Sequence, residues 1–397
     1  MKKRLTEFLK ELSAELKDAI LPFWMTKMVD HDNGGFYGQI DGMDQLQVGA
    51  PKGSVLNARI LWTFSAAFNY YNDPDYLRVA DRAYKYCDNF FINKQNDGVY
   101  WMLDCTGKPL ETKNQIYALG FMIYGLSEYY KATQNADALR TSRMLFRSIE
   151  KYSFDIKQNG YFEAFDEKWQ LLEDLRLSEK DANEKKTMNT HLHILEGYTN
   201  LHRVWKDDKL RKQLTNLVRV FMDKIVDPDT DHFKLFFDTD WRYKDDEISF
   251  GHDIEGSWLI QEAAEVCGDR RLVAKARQLA ISMANAVLAH GFDQDGGLFY
   301  AIKPGGQVDT DKHWWPQAEA MVGLVNAFQL SHNVAYLDHA MQVWQFIKEK
   351  IIDKAGGEWH FRVNREGIPY PEEDKAGIWK CPYHNGRACL EILKRLG

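Results

Sequence analysis

Apolar and polar positions along the chain fall into two helical patterns that recur at intervals of roughly 65 residues. In the first, an Asn, Asp or Gly turn precedes a Leu and a helix that is apolar on one face and charged on the other. It occurs at Asn72-Asp73-Pro74 with Leu77, Asn135-Ala136-Asp137 with Leu139, Asp207-Asp208 with Leu210, Gly268-Asp269 with Leu272, and Asn333 with Leu337. Such a stripe belongs to a helix packed on one side and wet on the other. The second pattern is apolar over most of its circumference and predicts inner helices over roughly 54–71, 114–132, 188–205, 249–267, 314–330 and 383–396. Ahead of each inner helix lies a Gly-and-aromatic segment with period-two character, such as Asp97-Gly98-Val99-Tyr100-Trp101, Asn159-Gly160-Tyr161-Phe162 and Asp295-Gly296-Gly297-Leu298-Phe299-Tyr300. These read as small hairpins or extended loops.

Six inner helices alternate with five outer ones, and the N-terminal helix over 6–28 supplies the missing outer partner. Twelve helices whose first completes the last pair imply a closed ring. The expectation is an all-α fold, an (α/α)6 barrel of six inner and six outer helices with short hairpins and loops at one end, formed as a single domain over 1–397. An open, curved array of helical hairpins is the competing architecture. No linker or low-complexity stretch divides the chain.

Composition narrows the partners. Of 397 residues, 45% are hydrophobic and 27% charged, as in an ordinary globular protein. A net charge of -7, with no basic cluster beyond Lys2-Lys3-Arg4, argues against nucleic acid or an anionic membrane and for a neutral ligand. The 12 Trp, 19 Tyr and 22 Phe include ring faces suited to sugars, although core packing accounts for most of them. The five cysteines are odd in number, scattered and without a CxxC pair, which is the usage of a reducing compartment. Charged residues interrupt 6–25, so the start offers neither a signal peptide nor a membrane span, and a cytoplasmic location is expected.

Candidate chemistry gathers where inner helices begin. In Ser249-Phe250-Gly251-His252-Asp253-Ile254-Glu255, His252 and Glu255 are three apart and share a helix face, so the carboxylate is expected to hold the imidazole and raise its basicity. Arg59 has Val55, Leu56 and Trp62 as helical neighbours, a setting that calls for an anion, a developing oxyanion or an internal salt bridge. Tyr117 opens the second inner helix, where it offers a ring and a hydroxyl or simply packs. In Met188-Asn189-Thr190-His191-Leu192-His193, Asn189 and His193 face together while His191 turns away; helical geometry splays the two imidazoles, and no metal motif accompanies them, so no metal is expected. Trp314 and Trp315 cannot both be core at a helix mouth, so at least one faces ligand. Trp379-Lys380-Cys381-Pro382-Tyr383-His384 brings another Trp and His into the last helix; a Cys381–His384 nucleophile lacks an oxyanion motif. Only one carboxylate, Glu255, has a clear place here, whereas glycoside hydrolysis needs two. Histidines and an arginine instead suit proton abstraction beside a carbonyl.

The ordered set Met188-Asn189-Thr190-His191-Leu192-His193-Ile194-Leu195-Glu196, Gly251-His252-Asp253-Ile254-Glu255, Trp314-Trp315 before Gln317-Ala318-Glu319, and Trp379 to Asn385 resembles the cellobiose 2-epimerase family of the N-acylglucosamine 2-epimerase superfamily. The resemblance runs from His31 to the last helix. It implies the (α/α)6 barrel and reversible C2 epimerisation of the reducing-end glucose of β-1,4-linked disaccharides, with no cofactor. It further implies that His252 and His384 are the general acid/base pair and that His193 assists ring opening. Arg59 and Asn189 would hold the carbonyl oxygen with His193, and Glu255 would orient His252. Trp315 and Trp379, with Trp314 beside them, would stack on the sugars, and Tyr117 and the loop residue Asp181 would contact them. A monomer acting on a small disaccharide is the expectation. A mannose-type aldose–ketose isomerase, a glycoside hydrolase or lyase on the same barrel, and a non-catalytic sugar-binding module are the alternatives.

Overall fold

The computed structural model describes residues 2–397. The N-terminal helix comprises α1 (Lys2–Ala14) and α2 (Leu21–Thr26), joined through a π-helical turn at Glu15–Ile20. Five pairs follow: α3 (Ser54–Tyr71) with α4 (Pro74–Tyr86), α5 (Ile116–Thr133) with α6 (Ala136–Ser148), and α7 (Met188–Val204) with α8 (Asp208–Val220). Next come α9 (Phe250–Cys267) with α10 (Arg270–His290) and α11 (Trp314–Ser331) with α12 (Val334–Phe346); α13 (Tyr383–Leu396) ends the chain. The inner helices pack in the order α3, α5, α7, α9, α11, α13, and α13 returns to α3 while α1 lies against α13. The ring therefore closes, which excludes the open array.

Local chemistry explains the alternation. On α8 the buried positions Leu210, Leu214, Leu217 and Val218 form one stripe, whereas α3 is buried without interruption from Ser54 to Ala67. Asp73, Asn135, Asp207, Asp269 and Asn333 each accept a backbone N–H in the first turn of an outer helix. Left-handed residues Asn72, Gln134, Gly268 and His332 end the preceding inner helices, so four of the connections need only two residues. Four outer helices also finish in π turns, which the sequence pattern does not show.

The hairpins form a second ring over the inner N-termini. The extended pair before each of five inner helices bonds to a short strand within the segment that leads to the next: 52–53 with 102–103, 114–115 with 164–165, 186–187 with 236–237, 248–249 with 301–302, and 312–313 with 362–363. Ile40 and Ala376 exchange backbone bonds of 2.9 and 3.1 Å and make the sixth stitch. This pairing starts α5 at Ile116 and α9 at Phe250, slightly later than the apolar pattern suggests. The fourth residue of three inner helices anchors a hairpin from below. His191 Nε2 accepts from the Tyr161 amide at 2.9 Å, Asp253 from the Phe233 amide at 2.7 Å, and Gln317 from the Leu298 amide at 2.7 Å. Buried Lys52–Asp30, Lys186–Asp155 and Lys312–Asp293 pairs tie the same segments. Among the described residues no helix is long and apolar enough to cross a membrane.

Inner helices α5 and α7 meet backbone to backbone where Gly120 faces Gly197, and a Cβ on Gly197 would lie 2.6 Å from the Gly120 carbonyl oxygen. Gly197→Ala is expected to lower stability by about 1–3 kcal/mol through overpacking, measured by urea unfolding. An unchanged midpoint would show that the two helices have room to separate.

Candidate functional site

The six inner N-termini place their polar residues around one depression. His252, in the first turn of α9, lies 4.7 Å from the ring of Trp315, and His384, in the first turn of α13, lies 5.5 Å from that same ring. Gly251 permits this approach, because any Cβ there would fall 2.5 Å from the Trp315 indole. The two imidazoles thus share one wall. His384 is buried and its Nδ1 lies 2.7 Å from Glu319 Oε1, which can only accept, so the proton sits on Nδ1 and Nε2 keeps its lone pair. His252 Nδ1 lies 2.7 Å from the Ser249 hydroxyl, a partner able to donate or accept.

Glu255 departs from expectation. Although three residues from His252, it turns away from that ring and takes a 2.6 Å bond from Arg387 Nη2, with His384 Nδ1 4.0 Å away. The reason is a charge centre that helical spacing alone does not show. Arg387 is fully buried and binds Glu196, Glu255 and Glu319 together, the last at 2.7 Å. Glu196 in turn holds His193 Nδ1 at 3.0 Å and accepts from the Tyr383 hydroxyl. Burial and the Glu319 charge push the Glu255 carboxyl up to about 8. The depression therefore stands on three carboxylates rather than one. Glu196 and Glu319 stand in the motifs quoted from the sequence without a role, and Arg387 is absent from them; their signal was spacing, since Glu196 is three residues after His193, Arg387 three after His384, and Glu319 four after Trp315.

Arg59 is buried between the rings of Phe121 and Tyr383, its guanidinium 4.2 and 4.9 Å from their centres. It donates to the Tyr117 hydroxyl at 2.9 Å and to the Trp379 carbonyl at 3.4 Å, while its Nε has no partner. No carboxylate pairs with it among the described residues, so the salt-bridge reading of this arginine falls. Trp379 is partly exposed beside Trp101 and Tyr117, each 6.1 Å away. Trp315 is likewise partly exposed, but Trp314 is buried against Phe361 at 4.5 Å and reaches the site only behind His384. His191, its two nitrogens bonded to Thr187 O and the Tyr161 amide, serves the fold. Cys381 is buried and burial raises its thiol pKa, which does not favour a nucleophile. Glu255, Glu319 and His384 bring ligand atoms within 4.8 Å of one another, yet the Arg387 guanidinium already bonds both carboxylates.

A cavity of about 440 Å³ adjoins His252 and Asn189 and extends to Asp181, Glu247, Tyr300 and His313. Asn189 Oδ1 is buried without a partner. Asp181 is half-buried in the loop and accepts from the Ser178 amide at 2.9 Å.

Residues 35–388 match the family model of N-acylglucosamine 2-epimerase (GlcNAc 2-epimerase). The chain belongs to the N-acylglucosamine 2-epimerase family. It is 50% identical over 389 residues to a cellobiose 2-epimerase of Bacteroides fragilis, covering 98% of this chain and 99% of that one. It is 39% identical over 389 residues to a cellobiose 2-epimerase of Dictyoglomus turgidum, covering 97% and 98%. The solved cellobiose 2-epimerase of Bacillus thermoamylovorans superposes with a TM-score of 0.94 at 39% identity, covering 98% of this chain and 100% of that one. The (α/α)6 barrel and the isomerase class expected from sequence are thereby established.

In this family member burial governs the imidazoles. It lowers His252 to about 3, with the nearby His193 adding to the effect, and it sets His384 well below the ordinary value together with the Arg59 and Arg387 charges. Both rings are consequently neutral through and below neutral pH. The Hε1 resonances of His252 and His384 are expected not to titrate between about pH 8 and pH 5, with catalysis keeping its acid limb below the ordinary histidine value near 6.5. A titration of either ring centred near 6.5 would contradict the burial argument.

Proposed function

We propose that the chain catalyses reversible C2 epimerisation of the reducing-end glucose of β-1,4-linked disaccharides, converting cellobiose to glucosyl-mannose and lactose to epilactose through a cis-enediolate. The carrying observation is the pair of neutral imidazoles, His252 and His384, on one Trp315 ring. Epimerisation removes a proton from one face of C2 and returns it to the other, so it needs two bases around one carbon, each neutral when it accepts. His384 has the required form, with Nδ1–H fixed by Glu319 and Nε2 free to take the proton. His252 performs the opposite half-step, with Ser249 as a partner in either protonation state.

The other groups fall into place around that transfer. His193, held by Glu196, assists opening of the sugar ring to expose the C1 carbonyl. Arg59, lacking a carboxylate and with Nε unpartnered, stabilises the enediolate oxygen, aided by Asn189. Trp315 and Trp379 stack on the sugar faces, Trp314 backs His384, Tyr117 positions Arg59, and Asp181 contacts the outer sugar. Rotation about C2–C3 between the two half-steps presents the other face. Glu255 serves through Arg387 and His384 rather than through His252. The chemistry is redox-neutral, so no cofactor is called for. The chain works as one catalytic domain and as a monomer, and its five unpaired cysteines favour the cytoplasm. Hydrolysis fits poorly, because all three central carboxylates are bound to Arg387 and none is free to flank a scissile bond.

An NMR time course with cellobiose in deuterated water is expected to show deuterium at C2 and a mannosyl product. His252→Ala and His384→Ala should each lower that exchange roughly 10²–10⁴-fold with the fold intact. A fructosyl product would mean that the proton returns to C1, as in an aldose–ketose isomerase; released glucose would mean hydrolysis. Normal C2 exchange in both variants would refute the assignment of the pair.

A further inference from the structure

The cavity beside His252 carries more negative charge than the proposed chemistry needs. Three of its four cations bind acids already: Lys303 holds Asp309 at 2.9 Å, Arg362 holds Asp311 at 2.5 Å and Glu373 at 2.7 Å, and Arg176 holds Asp174 at 2.8 Å. The fourth, Lys180, is exposed at its rim. Among the described residues, Asp181 and Glu247 have no cationic partner, and the Glu247 carboxylate has no hydrogen-bond donor. Burial raises the pKa of both; at Glu247 the Asp245, Asp181 and Asp309 charges add to it and Lys303 opposes it, whereas at Asp181 the Ser178 hydrogen bonds, Arg176 and Lys180 oppose it. A second feature of the same wall also awaits a ligand: His313 is buried, stacked on Tyr300 at 3.9 Å, and its Nδ1 has no partner.

Register fixes what Glu247 can reach. It lies two residues before Ser249, the partner of His252, and Ile248–Ser249 is a strand. Glu247 immediately precedes that strand, two extended residues span about 6.6 Å, and both Glu247 and Ser249 line the cavity. Glu247 thus stands roughly one sugar ring away from the reacting carbon. We propose that Glu247, together with Asp181, selects the sugar distal to the reacting one by charge, favouring a ring that bears an ammonium group over a neutral ring and a neutral ring over one bearing a carboxylate. The proposal rests on the epimerase reading above and adds a substrate class to it, disaccharides with an amino sugar at the non-reducing end.

The test compares kcat/KM for β-1,4-linked glucosaminyl-glucose, cellobiose and glucuronosyl-glucose at about pH 6 and low ionic strength, where the amine is protonated and the uronate ionised. The expected order is amino, neutral, acidic, with steps of roughly three- to tenfold that shrink in high salt. Glu247→Gln should narrow the spread between the amino and acidic substrates by at least about threefold. Three substrates turned over alike by the unaltered protein, or a spread that Glu247→Gln leaves intact, would overturn the proposal while the epimerase reading stands. Absence of C2 exchange with all three would sink both.

Discussion

The structure depends most on one buried cation. Arg387 lies at the centre of the ring with no exposure to solvent, and Glu196, Glu255 and Glu319 converge on it from α7, α9 and α11. Three carboxylates in one dry space repel, and each alone would cost several kcal/mol of desolvation. A planar guanidinium with several donors is the side chain able to hold them at once. Having been drawn together, the acids spend their remaining oxygens on orientation: Glu196 on His193, Glu319 on His384. Two of the three histidines around the depression, His193 and His384, therefore take their geometry from acids gathered by one buried arginine.

This arrangement also explains why the architecture was legible in the sequence and the wiring was not. Caps such as Asp73 and Asn135 act within one helical turn, and the apolar spacing of Leu210, Leu214 and Leu217 is a property of one helix. Local features of that kind survive reading in one dimension. Arg387 and its partners come from four helices up to 191 residues apart, so no local pattern joins them. The His252–Glu255 pairing failed for the same reason. Adjacency on a helix face permits a contact, but Glu255 met a stronger partner across the ring and His252 met Ser249 one turn back. Trp314 and Trp315 show a milder form: the pattern showed that one must face outward, and only packing against Phe361 decided which.

A division of labour runs through the inner helices. Their fourth residues, His191, Asp253 and Gln317, anchor the hairpins above them, and neighbouring residues such as Asn189, His252 and Trp315 line the depression. Histidine therefore serves both offices in this chain, and its type alone could not assign it. What separates the two is the count of satisfied nitrogens: His191 has both ring atoms bonded to backbone, while His384 keeps one unbonded.

Closure of the ring has a further consequence, for biogenesis. Leu12, Leu16 and Ile20 of the N-terminal helix are buried in the finished barrel, and that helix packs on α13, with Trp24 bonded to Glu358. On the ribosome this apolar face emerges well before α13, against which it seats. Until then the nascent chain carries an unsatisfied greasy edge of the kind that draws chaperones or neighbours into association. A closed toroid thus depends on a long wait between the two segments that complete its ring.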